Sequence, residues 1–144
     1  MADAAPNTIQ VDIVSAEGEI FSGPAKMVFA PASQGEIGIA PRHAPLLSML
    51  KAGEVRVQTP DGEEQFFFVG GGAIEVQPRH VTVLADTALR AKDIDEAAAL
   101  AAKQRAEEAL RDKTDQITQA EALAELARAA AQLKVLERLR KLRG

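Results

Sequence analysis

The chain has no cysteine, no tryptophan and no tyrosine among its 144 residues. Without thiols, neither a disulfide framework nor a thiolate metal site can form, and a reducing compartment is compatible. Phenylalanine is the only aromatic residue and occurs five times, so little is available to stack bases and no nucleic-acid partner is expected. His43 and His80 are the only histidines and do not stand at ligand spacing on one element, so no metal site is expected either. No run approaches the roughly 18–20 apolar residues of a membrane span, and the acidic amino end, MADAAPNTIQ, reads as neither a secretory leader nor an Arg-rich transit segment. There is no G-x-S-x-G, and Ser15, Ser22, Ser33 and Ser48 have no recognisable base pattern. Gly70-Gly71-Gly72 runs into Ala73-Ile74 rather than Lys-Ser/Thr, which suits a bulge or tight turn in a sheet and not a phosphate loop. No catalytic residue and no cofactor are expected. The composition suits a mechanical or binding subunit.

A further absence divides the chain in two. Apart from Gly144, no glycine or proline occurs after Pro78. Both residues gather where a chain turns and are excluded from helix interiors. The front half therefore reads as β-rich and the back half as helical, with domains at 1–88 and 89–144. In the front half, Ile9, Val11 and Ile13 alternate with polar residues, as do Val55 and Val57. Phe66 and Phe68, Ile74 and Val76, and Val81 and Val83 continue the period of two that turns one strand face into a core. Thr59-Pro60-Asp61-Gly62 is a strong turn between two such runs. Strand following strand predicts an antiparallel β-sandwich or flattened barrel.

In the back half, Asp93 with Glu96 forms a capping box that predicts a helix from Asp93 to about Leu110. Arg111 to Asp115 reads as the turn, and Thr118 with Glu121 opens a second helix reaching to near Leu142. Alanine takes 15 of the positions from 89 to 144, so the two helices form an antiparallel hairpin that buries little apolar area and docks weakly. The second helix carries two apolar stripes: Leu123, Leu126, Ala130, Leu133 and Leu136 on one face, and Val135, Leu139 and Leu142 nearly opposite. A surface helix needs one stripe. Either the extra leucines lie under the other domain, or the helix changes partners.

Charge is divided as well. Residues 1–88 carry a net −6 and residues 89–144 a net +2. From Leu126 on, Arg128, Lys134, Arg138, Arg140, Lys141 and Arg143 face only Glu137. Such a basic end either meets an anionic partner or complements the negative carboxyl terminus of its own helix.

Six stretches stand in one order: Val14-Ser15-Ala16-Glu17, Phe21-Ser22-Gly23, Gly35-Glu36-Ile37-Gly38-Ile39, His43-Ala44-Pro45-Leu46-Leu47, Gly71 to Val76 and Val81 to Asp86. Together they resemble the epsilon subunit of the bacterial F-type ATP synthase. Asp93 to Gln104 and Ala124 to Glu137 are similar to that family's two helices, so the resemblance covers essentially the whole chain. It implies a non-catalytic rotor subunit of a proton-driven ATP synthase, peripheral on the cytoplasmic face of the bacterial membrane. It implies as partners the gamma subunit, the c-subunit ring and the beta and alpha subunits of the catalytic head. The stretch Gly35–Leu47 would lie near gamma and the c ring, making Glu36 and His43 interface candidates, in preference to the plainer reading of an exposed loop carboxylate and a histidine packed beside prolines. The hairpin would fold against the sandwich or extend up the stalk and restrain ATP hydrolysis, with Lys134, Arg138, Arg140, Lys141 and Arg143 meeting acidic beta-subunit segments. Fully helical, residues 93–144 would reach about 78 Å.

Some members of that family bind ATP through Ile/Leu-Asp-x-x-Arg-Ala. Here Ile94 and Asp95 remain, but Ala98 stands in place of the arginine; Arg128 is kept, while Gln132 stands where those members have another arginine. Two charge-assisted phosphate contacts are missing, so weak ATP binding and no hydrolysis by the isolated chain are expected. The competing reading is a free-standing sandwich adaptor whose hairpin binds another acidic protein.

Overall fold

A computed structural model describes residues 7–112 and 116–143. Eight strands come first: β1 (Ile9–Ser15), β2 (Gly18–Ala25), β3 (Met27–Ala32), β4 (Gly35–Ile39), β5 (Leu46–Gln58), β6 (Glu64–Val76), β7 (His80–Ala85) and β8 (Ala88–Arg90). A 3-10 turn (Ala91–Asp93) leads to α1 (Glu96–Arg111) and α2 (Gln116–Arg143). The strand order is β2-β1-β7-β6-β5-β3-β4, with β8 also on β6. In a flat sheet β1 and β3 would lie four strand spacings apart, about 19 Å. Yet Ile9, Val11 and Ile13 share one fully buried cluster with Val28 and Ala30. The ladder therefore folds over into a sandwich, and long β5 and β6 pass through both layers.

The bend lies at the three glycines. Gly71 and Gly72 have φ of 106° and 124°, a region that only glycine enters without strain. Leu50 pairs with Gly72 and Ala52 with Gly70, so the ladder is interrupted between them. The other predicted turn is also present: the Thr59 amide donates to Glu63 O at 2.8 Å and the Gly62 amide to Thr59 O at 3.0 Å.

Several sequence expectations are corrected. The sheet is not wholly antiparallel, since β1 and β7 pair in parallel from Gln10/His80 to Val14/Leu84. Strands β2 to β6 lie between them in the chain, so no hairpin forces these two to run in opposite directions. The first helix is capped by Asp95 and not Asp93: the Asp95 carboxylate accepts from the Ala98 amide at 3.1 Å. Asp93 instead closes the 3-10 turn, because Ile94 stays extended with its side chain only 8% exposed in an apolar cluster. Phe66 and Phe68 do not line the sandwich core; they face outward under α2, while Phe67 between them points inward.

The apolar stripes of α2 are also redistributed. Val135 is buried against Phe66, Phe68, Ala91 and Ile94, with Ala131, Leu136 and Leu139 packed around it. Leu123 and Ala130, assigned to one stripe, are exposed, as is Leu142 of the other. The helices meet through buried Ala99 and Ala106 of α1 and Ala122 and Ala129 of α2. Small side chains let the two backbones approach closely but bury little area each. The turn expected at 111–115 is described only as far as Asp112, which caps α1; Lys113, Thr114 and Asp115 lie outside the described residues, as do Met1 to Pro6.

Candidate functional site

The two outer faces of the sandwich differ. One is covered by α2 and the other is open. On the covered face, strand register lines up Glu36 with Pro31, and Arg56 with both Phe29 and Phe66; Glu54 faces Phe68. Arg56 stacks its guanidinium 4.1 Å from the centroid of Phe29. Between this face and α2 runs a cleft of about 430 Å³, lined by Pro31, Glu36, Lys51, Glu54, Lys134 and Arg138 among others.

Glu54 sits deepest of the acids there, its side chain 16% exposed, and Arg138 Nη2 lies 3.5 Å from its Oε1. Burial pushes the Glu54 carboxyl above its ordinary range, against the pull of Arg138, Arg56 and Lys134, and Glu36 adds to the rise. The desolvation cost therefore outweighs the Coulomb gain. Two residues on, Arg140 pairs with Glu96 on α1, and Lys141 pairs with Glu137 of its own helix at 3.5 Å. Of the basic residues singled out in the sequence, Arg138 and Arg140 are thus held by acids of other elements, Lys134 is exposed at the cleft and Lys141 is tied locally. The side chain of Arg143 lies outside the described residues.

The remaining candidates do not converge. Glu36 is exposed at the start of β4, on the rim facing Lys134 and Arg138. His43 lies beyond the other end of β4, half-buried, with Nδ1 2.7 Å from Ala44 O. Its loop is pinned by the Arg42 amide donating to Pro78 O at 2.8 Å, with Arg42 at φ 66°. Ile94 is taken up by the cluster under α2, and Asp95 by its cap bond. Arg128 runs past Gly70, where its Cδ would lie 3.5 Å from an added Cβ.

The open face was not anticipated. Across it Met49, Ala73 and Leu84 are adjacent on β5, β6 and β7. Leu47, Met49 and Leu84 are 74%, 62% and 54% exposed, too large an apolar group to be scattered surface residues. The available signal was in β5: Leu46-Leu47-Ser48-Met49-Leu50 puts apolar side chains on both strand faces. Glu54 was not singled out in the sequence and Glu96 was read only as part of a helix cap, because nothing local marks either as a seat for a helix far along the chain.

Beside the apolar patch is a polar cluster. Asp12 accepts from Ser22 Oγ at 2.6 Å and from Gln10 Nε2 at 3.3 Å, and His80 Nε2 lies 2.6 Å from its other oxygen. Burial alone would raise the Asp12 carboxyl, but these three partners together hold it below the ordinary value of 3.8. A depressed folded pKa contributes stability that is complete above the unfolded value and is lost as pH falls through the folded one. Asp12→Asn is therefore expected to lower stability by about 1 kcal/mol at neutral pH. The deficit should vanish in acid, which parallel urea titrations of both proteins at neutral pH and at roughly pH 2 would check. A deficit that persisted unchanged in acid would show that the carboxylate charge is not the source.

Among the described residues no group of His, Asp and Glu is placed to hold a metal ion, and no helix is long and apolar enough to cross a membrane. Comparison with known proteins covers both halves. Residues 8–91 match the family described as ATP synthase, Delta/Epsilon chain, beta-sandwich domain, and residues 92–137 match its long alpha-helix domain. The chain is 66% identical over 137 residues to the ATP synthase epsilon chain of Nitrosococcus oceani, covering 95% of this chain and 98% of that protein. It is 61% identical to that of Halorhodospira halophila, covering 94% and 96%. Among solved structures, a chain of the Euglena gracilis mitochondrial ATP synthase (OSCP/F1/c-ring) superposes with a TM-score of 0.82 at 18% identity, covering 94% of this chain and 86% of that one. At that identity the likeness is one of fold.

Proposed function

This chain belongs to the delta/epsilon chain family of ATP synthase, and from that premise we propose that it serves as a non-catalytic subunit of the central stalk, joining the gamma subunit and the c ring to the catalytic head. The chemistry belongs to the assembled complex, not to this subunit. The observation that carries the reading is the two-faced sandwich: an open apolar face suited to permanent partners, and an opposite face covered by a helix with a basic, ion-paired end. The patch of Leu47, Met49 and Leu84, together with the loop that carries His43, is the surface offered to the rotor. Apolar patches of this kind become buried in stable assemblies. Glu36, on the covered side, joins the partner surface when α2 is elsewhere. The location is the cytoplasmic face of the bacterial membrane, reached through the c ring and not through a span of this chain.

The hairpin is the regulatory part. The units are residues 1–88, which attach to the rotor, and 89–144, which regulate, with β8 spanning the join. Docked as here, Arg138 and Arg140 are neutralised by Glu54 and Glu96. Extended, α2 alone is about 42 Å long and would carry those charges to acidic segments of the beta subunits and of the neighbouring alpha subunits. A truncation after Asp93 keeps β8 and the 3-10 turn and removes both helices. In the reconstituted complex it is expected to raise ATP hydrolysis severalfold and leave proton-coupled assembly intact. Added salt should weaken the restraint in the full-length protein, since exposed charge pairs are screened. An unchanged hydrolysis rate across nucleotide and salt conditions would leave the hairpin a purely structural role.

A further inference from the structure

Glu54 is placed where a carboxylate is costly. Its side chain is 16% exposed beneath α2, and among the described residues Arg138 is the one cation within ion-pair distance. Arg56, on the same face, is engaged with the Phe29 ring at 4.1 Å. Lys51 and Lys134 line the cleft, and Glu36 adds a like charge to it. The apolar seat of α2 is a single cluster: Val135 with Ala131, Leu136 and Leu139 against Phe66, Phe68, Ala91 and Ile94. Arg138 itself is 43% exposed, so a group from outside can reach it, whereas Glu54 is mostly covered. Removing the arginine alone leaves that covered carboxylate without its nearest cation, which is more damaging than exchanging both for neutral groups.

We propose that Glu54 couples capture of Arg138 to release of the whole of α2: when an acidic group of a partner takes the guanidinium, the carboxylate is stranded under the helix and drives it off the sheet. The ion pair is then a release element and not a clamp. Its net contribution to docking is small while intact, and its loss is decisive. The identity of the acidic partner rests on the function proposed above; the coupling itself is a property of the single chain.

The absence of cysteine makes a direct test possible. Ser33→Cys in the β3–β4 turn and Leu142→Cys at the exposed end of α2 give two spin-label sites in the full chain, and pulsed electron resonance reads the distance between them. Arg138→Gln is expected to raise the undocked fraction about tenfold or more, the scale of a stranded buried charge. Glu54→Gln alone should stay docked, and the Arg138→Gln/Glu54→Gln double variant should return close to the parent. Poly-L-glutamate should open the parent and leave Glu54→Gln docked at matched ionic strength. If Arg138→Gln stayed docked, another cation would serve Glu54 and the coupling would be refuted. If the double variant opened as far as Arg138→Gln, or polyglutamate opened both proteins equally, Arg138 would be acting through packing or general charge, which refutes it equally. These readings need no assembled complex. A cycle that behaves as expected beside unchanged hydrolysis after hairpin removal would overturn the regulatory function alone.

Discussion

Replacing Gly72 with alanine is expected to destabilise the sandwich by about 3–5 kcal/mol, combining backbone strain with overpacking. The residue has φ of +124°, and an added Cβ would lie 2.1 Å from Leu84 O and 2.9 Å from the Ala85 Cα. Those atoms belong to the backbone of the neighbouring strand, so no rotamer change can make room. Strand β6 would have to move away from β7 where it pairs Gly72 with Ala85, at the bend joining the two layers. Gly62 provides the control. Its φ is +90°, but nothing lies within 4 Å of an added Cβ, so Gly62→Ala should cost only the strain of a left-handed residue, about 1–2 kcal/mol. Denaturant unfolding of both variants separates the two terms. Equal losses would mean that the close approach at Gly72 relaxes freely and that only its φ matters.

The second large effect is expected at Phe67. Its side chain is 1% exposed, meets the Phe21 ring edge-on at 5.5 Å between centroids and has the Arg90 guanidinium 6.0 Å from its ring centre. Phe67→Ala leaves a cavity between the layers and should cost about 3–5 kcal/mol of global stability. Phe66 and Phe68 are just as hidden, 5% and 1% exposed, but beneath α2. Alanine at either should leave the unfolding midpoint of the sandwich nearly in place and instead loosen the hairpin, seen as faster amide exchange along α2. Three like residues in a row would thus give two different phenotypes. A global loss at Phe68 equal to that at Phe67 would mean that hairpin and sandwich unfold as one unit.

Those phenylalanines also mark the limit of local reading. Alternation put Ile9, Val11, Ile13, Val55, Val57, Ile74, Val76, Val81 and Val83 in the core, and all are fully buried. At Phe66-Phe67-Phe68 the alternation fails, because both faces of β6 are covered and an all-apolar run carries no phase. The same holds for Leu46 to Leu50, where the outward leucine and methionine remain uncovered in the single chain. The capping pattern at Asp93 was misplaced by two residues, since Ile94 gains more from burial beside Phe68 than it would from starting the helix earlier.

The division into strands and breaker-free helices, the irregularity at Gly70–Gly72, the use of alanine between the helices and the basic end of α2 were all determined by the sequence itself. They follow from backbone sterics, periodicity and charge, which act over a few residues. Only the tertiary structure decided that β1 runs parallel to β7, that one sandwich face stays open, and that Glu54 and Glu96 receive Arg138 and Arg140. Each of these joins segments dozens of residues apart. A side chain's burial, its partner and the cost of its charge are set by whatever the completed fold lays over it, and no local pattern in the chain encodes that.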